Sequence, residues 1–228
     1  MQRNLAGYFG KLPDRADFVT GSCPDGFLKL WEPFLIHGLA QSRQELGGDW
    51  EDAYMTMPVW RFWMKPSAQD GVLSACLAGA LMPSVDKVGR KFPLTVVGFS
   101  EEGDDTCRPP ETWYDSVEDV LLGALGEDAT LKEFQEAVAG LAAPFESAEP
   151  DEASSCETLE PARETRDQLA SRFFCQAGPR TYRFGCDGLP APEEFRWLLL
   201  PEAFKAGADD GKMAGQHHGR YQAEDHRT

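Results

Sequence analysis

The apolar positions of this chain concentrate in two long runs that lie close together, residues 72–82 and residues 92–99. Neither run alternates regularly between apolar and polar residues, which is typical of strands that are covered on both faces. The residues between them, 83–91, include several charges together with Pro83 and Gly89, which interrupt regular structure. The pattern therefore predicts two buried strands joined by a charged loop, and function often resides on loops that a rigid core presents in this way.

Upstream of these runs, the pattern predicts a strand over residues 5–12, then a helix, and then a strand over residues 53–64. Ser22 followed by Pro24 is a favourable helix start, and the glycines at 47–48 are a favourable end. The apolar side chains near helical spacing are Phe27, Leu30 or Trp31, Phe34, Ile36, Leu39 and Leu46. We expect His37, which lies among them, to be a packed core residue rather than a metal ligand.

Downstream, the acidic residues 101–105 indicate a solvated loop, and helices dominate the rest of the chain. One helix has an apolar stripe formed by Trp113, Val117, Val120, Leu121 and Leu125. Thr130 and Glu133 have the spacing of a capping box and predict the start of the next helix. The remaining predicted elements are an acidic loop or linker over 146–160, a helix over about 161–175, a strand over 180–186 and a closing helix over 189–206.

Strands therefore dominate the first hundred residues and helices the rest, which indicates an α/β protein of the α+β type with a mixed sheet. We expect one domain over residues 1–206, which includes the acidic segment. Residues 207–228 are small, polar and charged, and we interpret them as a flexible polar tail.

Composition and charge narrow the classes of partner. The 228 residues carry 38 acidic and 22 basic side chains, a formal net charge of −16. Such a surface repels phosphate backbones, so we expect neither nucleic acid nor an anionic membrane as a direct partner. The sequence has no apolar run of the roughly 20 residues that a membrane span needs and no hydrophobic signal core at its amino terminus, so we expect a cytoplasmic protein. The six cysteines are widely spaced, which indicates free thiols rather than disulfides or a zinc site.

The sequence lacks several motifs of enzymes. It has neither the glycine-rich loop with Lys and Ser or Thr that cradles nucleotide phosphates nor the Gly-x-Ser-x-Gly turn of hydrolases. We therefore expect no catalysis and no cofactor. Two alternatives stay open. One is a hydrolase that acts on a phosphorylated component of the system in which this chain works, with Lys11, Asp17, Asp86 and Arg90 as candidate residues that converge at one end of the sheet. The other is a metal-binding module that uses the acidic loop or the histidines at 217–218.

Three stretches together carry a resemblance to a known family: YFGKLPDRADF at 8–18, AYMTMPVWRF at 53–62 and MPSVDKVGRKFPLT at 82–95. The chain resembles the TagF family of accessory proteins of bacterial type VI secretion. The resemblance implies a three-layer α/β/α sandwich. It also implies post-translational repression of the assembly of the secretion apparatus, alongside a kinase–phosphatase switch, with the system's forkhead-associated (FHA) scaffold protein as the partner.

The charged residues of the first and third stretches are the candidates for a partner-binding surface. Lys11 and Asp17 fit either a local salt bridge or a partner contact. Gly89 permits a positive φ, which predicts that the loop folds back and pairs Asp86 with Arg90; we favour a structural pair over a binding role. Arg61 is expected to stack on an aromatic ring, to pair with a buried acid, or to pack its stem at the edge of the core. The partner-binding candidates are Lys11, Pro13, Asp17, Phe18, Asp86 and Arg90.

Overall fold

The computed structural model of the chain describes residues 6–66, 72–73, 75–99, 109–144, 170–203 and 220–225. Their strands form one eight-stranded sheet. In chain order the strands are β1 (Ala6–Lys11), β2 (Phe18–Gly21), β3 (Trp60–Lys65), β4 (Leu77–Met82), β5 (Leu94–Phe99), β6 (Ala170–Ala177), β7 (Arg180–Asp187) and β8 (Arg220–Asp225). In the sheet their order is β2-β1-β5-β4-β3-β6-β7-β8.

Every pairing between the described strands is antiparallel, so the prediction of a mixed sheet is wrong. The reason lies in the connections, because β1–β2, β4–β5 and β6–β7 are sequential neighbours and a short connection can only reverse the chain. The helices between β2 and β3 join strands that are not neighbours in the sheet. The connection therefore creates no parallel pairing, although β2 and β3 run in the same direction.

Helices cover both faces of the sheet. Their bounds are α1 (Phe27–Leu46), α2 (Trp50–Met55), α3 (Glu111–Gly123), α4 (Leu131–Ala139) and α5 (Arg196–Leu199). One apolar cluster joins Trp31 of α1, Tyr54 of α2 and Leu198 of α5 to one face of the sheet. A second joins residues of α3 and α4, such as Val117 and Phe134, to the other face. The arrangement confirms the predicted three-layer α/β/α sandwich of the α+β class.

The two central apolar runs form β4 and β5, and their burial on both faces is confirmed. All six residues of β4 are buried, as are the first five of β5. Leu77 and Leu81 belong to the cluster under α1, whereas Ala78, Ala80 and Met82 belong to the cluster under α3 and α4. Strand β4 begins at Leu77 rather than at residue 72, and the loop at 83–93 connects it to β5 as predicted.

Several helix signals behave as expected. Helix α1 ends at Leu46 before the two glycines, and Thr130 and Glu133 form the predicted capping box of α4. The helix start is different, because Gly26 and not Ser22 is the residue before α1. His37 is exposed on α1, so the prediction of a packed core histidine is wrong; the buried stripe runs along Trp31, Phe34 and Leu35 instead.

Three predicted elements need correction. The predicted strand over residues 53–64 begins only at Trp60, and residues 50–55 form α2 instead, because Trp50 and Tyr54 lie four apart and stack with their ring centroids 5.0 Å apart. Residues 170–177 form β6 rather than the end of a helix, with Ser171, Phe173 and Cys175 buried at every second position; residues 161–169 lie outside the described part. The closing helix is reduced to α5 and flanking 3₁₀ turns, with Pro201 after it.

In the second half of the chain, β6 pairs with β3 and extends the sheet without a break. The segment 220–225, which the sequence analysis placed in a flexible tail, forms β8 and pairs with β7. The acidic residues 101–105 and 146–160 and the histidines at 217–218 lie outside the described residues. The four described cysteines, Cys23, Cys76, Cys175 and Cys186, are free thiols. None of the described helices is long and apolar enough to cross a membrane.

Candidate functional site

Two loops meet at one end of the sheet and bring the candidate residues together. They are the turn between β1 and β2, residues 12–17, and the loop between β4 and β5, residues 83–93. The Lys87 amide donates to the Arg15 carbonyl at 2.9 Å, and the guanidinium of Arg90 donates from Nη2 to the Ala16 carbonyl. The turn and the loop therefore form one unit, although about 70 residues separate them in sequence.

Tyr54 of α2 attaches the second motif stretch to the same unit. Its hydroxyl donates to the Ser84 carbonyl at 2.8 Å and accepts from the Ser84 amide at 2.9 Å. The Ser84 hydroxyl in turn donates to the carbonyl of Lys11 at 2.8 Å. The stretches 8–18, 53–62 and 82–95 thus converge through buried hydrogen bonds, a role for Tyr54 and Ser84 that the sequence analysis missed. Their presence in those stretches was the only sequence signal.

The carboxylate of Asp86 is the centre of the unit. Its Oδ2 accepts from Lys11 Nζ at 2.5 Å and from Arg90 Nε at 2.6 Å. Its Oδ1 accepts from the amides of Val88 at 3.0 Å and Arg90 at 2.8 Å. The Asp86 side chain has no exposed surface. Lys11, Asp86 and Arg90 are called the Asp86 cluster below.

Four donors around one carboxylate explain its acidity. Burial alone would raise the pKa of Asp86, because it disfavours the charged form. The hydrogen bonds from Lys11, from the amide and guanidinium of Arg90 and from the Val88 amide outweigh burial and hold the pKa of Asp86 well below its usual range. Asp86 is therefore ionised at any physiological pH.

The predicted pairing of Asp86 with Arg90 is present, and Gly89 has the expected positive φ of 84°. The Gly89 amide donates to the Asp86 carbonyl at 2.9 Å, which closes the turn. The expected Lys11–Asp17 bridge does not form, since Lys11 pairs with Asp86 across the two loops and Asp17 is exposed. This second cation on Asp86 was not predicted from the sequence.

The outer surface of the unit, in contrast to its buried centre, presents exposed aromatic, apolar and charged side chains. Phe18 is 48% exposed, and its ring packs edge-on against Phe92 with the centroids 4.8 Å apart. Pro13, in the turn between β1 and β2, is half-buried. Lys87, Val88 and Arg90, called the loop tip below, are all exposed. Of the predicted partner-binding residues, Asp17, Phe18 and Arg90 therefore reach the surface, whereas Lys11 and Asp86 are internal.

A second ionic cluster lies on the face of the sheet that α3 covers. Arg61 of β3 donates to three acids of α3: to Glu118 at 2.5 Å, to Glu111 at 2.6 Å and to Asp115 at 2.7 Å. Its guanidinium also lies 5.6 Å from the ring centroid of Tyr114. These four charged residues are called the Arg61 cluster below. Both the predicted ring contact and the predicted acid pairing are present, but Glu111 and Asp115 are exposed rather than buried.

The geometry gives the hydrolase alternative little support. Lys11, Asp86 and Arg90 do converge, but they bond one another, and a carboxylate whose pKa lies well below its usual range is a poor general base. For the metal alternative, the described residues contain no group of three or more His, Cys, Asp or Glu that could hold an ion, and its candidates, the acidic loop and the histidines at 217–218, lie outside them.

Comparison with known proteins agrees with the three motif stretches. The sequence model of the TagF N-terminal domain, described as type VI secretion system-associated, matches residues 7–141 and so contains all three. The crystal structure of PA0076 from Pseudomonas aeruginosa PAO1 is similar over 86% of this chain and 94% of that chain, with a TM-score of 0.64 and 32% identity. No curated protein matches this chain in sequence.

Proposed function

The chain belongs to the TagF family of type VI secretion-associated proteins, and from that premise we propose that it is a cytoplasmic regulator that represses assembly of the secretion apparatus after translation. In this proposal it acts by binding and not by catalysis. Its partner is the FHA-domain scaffold protein of the same secretion system.

The observation that carries the proposal is the convergence of the three motif stretches on one rigid unit. Within that unit, hydrogen bonds occupy the polar side-chain groups of Ser84, Tyr54 and Asp86. Such an arrangement suits the presentation of a surface, because rigid loops lose little conformational entropy on binding. It does not suit proton transfer, which needs a group whose pKa lies near the working pH.

Charge supports a protein partner. A net charge of −16 disfavours nucleic acid and anionic membranes, whereas protein surfaces offer both signs of charge. The predicted contacts that reach the surface, Asp17, Phe18 and Arg90, include an acid, an aromatic ring and a guanidinium. Aromatic and arginine side chains are the residues most enriched at protein interfaces.

The test is genetic and has two directions. Deleting the gene is expected to raise effector secretion and the number of assembled sheaths, and overexpression is expected to lower both. Transcript levels of the apparatus genes are expected to stay constant, because the proposed control acts after translation. Fractionation of the same cells checks the cytoplasmic location. Unchanged secretion and sheath assembly in both directions would refute the repressor proposal.

A direct binding measurement separates the partner from the phenotype. The purified chain is titrated with the purified FHA-domain scaffold of its own system, and saturable binding is expected. Altered secretion without any binding to the scaffold would retain the repressor proposal and reject this partner.

A further inference from the structure

The local charge of the two loops differs from that of the whole chain. Residues 11–18 and 83–93 contain five basic and three acidic side chains, whereas the chain as a whole has 22 basic and 38 acidic ones. One acid, Asp86, and one base, Lys11, are internal and pair with each other, and Lys91 pairs with Glu51 of α2. The exposed charged side chains of the two loops are three bases and one acid: Arg15, Lys87, Arg90 and Asp17. What the loop between β4 and β5 presents at its tip is therefore a basic patch on an acidic protein.

The loop tip also presents an apolar side chain. Val88 is 67% exposed, which makes it the most exposed large apolar residue in the described part of the chain. The side chain of valine forms no hydrogen bonds with water. Its burial against a partner would be favourable in proportion to the apolar surface area removed from water. Its position between Lys87 and Arg90 combines an apolar contact with two cations.

The conformation of the tip is fixed in advance. The amides of Val88 and Arg90 both donate to Asp86 Oδ1, and Gly89 takes the left-handed φ that the turn needs. Arg90 uses two of its five N–H groups within the protein, on Asp86 and on the Ala16 carbonyl, and it is 58% exposed. The remaining donors are available to a carboxylate, the group that a guanidinium binds best.

We propose that the loop tip binds an acidic segment of the regulatory partner, in which Val88 packs against an apolar side chain and Lys87 and Arg90 pair with carboxylates. Asp86 and Lys11 act as positioning residues that hold the tip in shape. This proposal rests on the proposed function, since the segment belongs to the FHA-domain scaffold, and it names the contact that the proposed function leaves open.

The first test uses the full chain and the purified scaffold. Val88→Ser removes the apolar contact but keeps the amide that binds Asp86, and Lys87→Glu reverses one exposed charge. Each is expected to weaken binding about tenfold or more, and wild-type binding is expected to weaken with added salt. Melting temperatures are expected to stay within about 2 °C of wild type, because substitutions at exposed positions change stability little.

Two matched variants serve as controls. Leu122 of α3 is half-exposed, and Lys132 of α4 is a well-exposed lysine on the same face of the sheet as α3. Leu122→Ser and Lys132→Glu repeat the two chemical changes away from the loop tip, and less than twofold weakening is expected. Full affinity of Val88→Ser and Lys87→Glu for the scaffold would overturn the loop-tip proposal while leaving the scaffold as the partner.

A second test decides the case in which the scaffold does not bind. Photoreactive p-benzoylphenylalanine is placed at position 88, and at position 122 as the control, in cells that produce the secretion apparatus. A cross-link from position 88 to an acidic segment of another apparatus protein would uphold the loop tip and reject the scaffold as partner. No product at position 88, or a product at a basic segment, would overturn the loop tip.

Discussion

The Asp86 cluster and the Arg61 cluster both consist of ion pairs, but bases outnumber acids in the first and acids outnumber bases in the second. In the first, one carboxylate with no exposed surface lies between two cations. In the second, one guanidinium, 15% exposed, lies among three carboxylates of α3, two of which are well exposed. The second cluster has more ion pairs. We nevertheless expect the first to contribute more to stability, because its central charge has no access to water.

The difference follows from solvation. A carboxylate removed from water keeps its charge only if the protein supplies an equivalent set of donors, as Lys11, Arg90 and two amides do for Asp86. Loss of Asp86 or of the buried cation Lys11 therefore leaves a buried charge without its counter-charge, whereas Arg90 is the exposed member of the cluster. In the Arg61 cluster, water can solvate Glu111 and Asp115 once the guanidinium is removed, so the loss is small and sensitive to salt.

The largest expected effect comes from Asp86→Asn. The amide keeps the size of the side chain but places an NH₂ group or a neutral oxygen against Lys11 and Arg90, and it leaves the Lys11 ammonium buried without a counter-charge. We expect the melting temperature to fall by on the order of 10 °C. Asp115→Asn is the matched control, because two carboxylates remain on Arg61, and a fall of less than about 3 °C is expected. Equal shifts in thermal melts would contradict the comparison.

A somewhat smaller loss is expected from Lys11→Met. Methionine fills the space of the lysine stem without its charge, while Arg90 and the two amides still serve Asp86. The measurement is a double-mutant cycle with Asp86→Asn by chemical denaturation. The double variant is expected to be more stable than the sum of the single losses predicts, since neither charge is then left without the other. Additive losses would mean that the two side chains do not stabilise one another.

The next largest effect is expected at low pH, where protonation of Asp86 removes the contribution of the Asp86 cluster to the stability of the fold. The folded pKa of Asp86 lies below its unfolded value of about 3.9, so its contribution is complete above that value and is lost as the pH falls through the folded pKa. The stability difference between wild type and Asp86→Asn is therefore expected to be constant from pH 7 to about 5 and to shrink below about pH 4. Thermal melts at each pH measure it, with the exposed Asp17→Asn as the control. A difference that stays constant down to pH 2 would contradict the assigned pKa direction.

The contacts around Asp86 also show which interactions can be predicted from the sequence and which cannot. The turn at Gly89, the Asp86–Arg90 pair and the Thr130 capping box were predicted, because each depends on residues within a few positions of one another. The pairing of Lys11 with Asp86 spans 75 positions and was missed. Nothing local marks it, because the register of the sheet and the path of the two loops bring these side chains together.

The errors in secondary structure have a related origin. Residues 170–177 are composed of residues that either a helix or a strand accepts, and it is pairing with β3 and β7 that selects the strand. Residues 50–55 form α2, whose aromatic pair at a spacing of four packs on α1, and Tyr54 of that pair donates to Ser84 in the loop between β4 and β5. In contrast, β4 and β5 were predicted as buried strands, because apolar residues at consecutive positions indicate burial on both faces.

A modest effect is expected at the second cluster from Arg61→Met. Burial lowers the pKa of Arg61, but its hydrogen bonds with Glu118 and Asp115 raise it further than burial lowers it, so the guanidinium is charged throughout. Its removal is expected to cost about 1–2 kcal/mol in urea unfolding at low salt. About half of that difference is expected to disappear in 0.5 M salt. A salt-independent loss would show that packing of the Arg61 stem, rather than its charge, is what stabilises the fold.

The smallest effect on stability is expected from Arg90→Ala, although Arg90 belongs to the cluster that we expect to contribute more to the stability of the fold. Arg90 is the outer cation of Asp86, and its removal leaves Lys11 and the amides of residues 88 and 90 in place. Because the lost pair is half-exposed, we expect a change of less than about 1 kcal/mol in the free energy of unfolding. Binding to an acidic partner is expected to weaken in the same variant, since the loop tip loses a cation. A loss of stability comparable to that of Lys11→Met, with unchanged binding, would make Arg90 a structural residue and remove it from the loop tip.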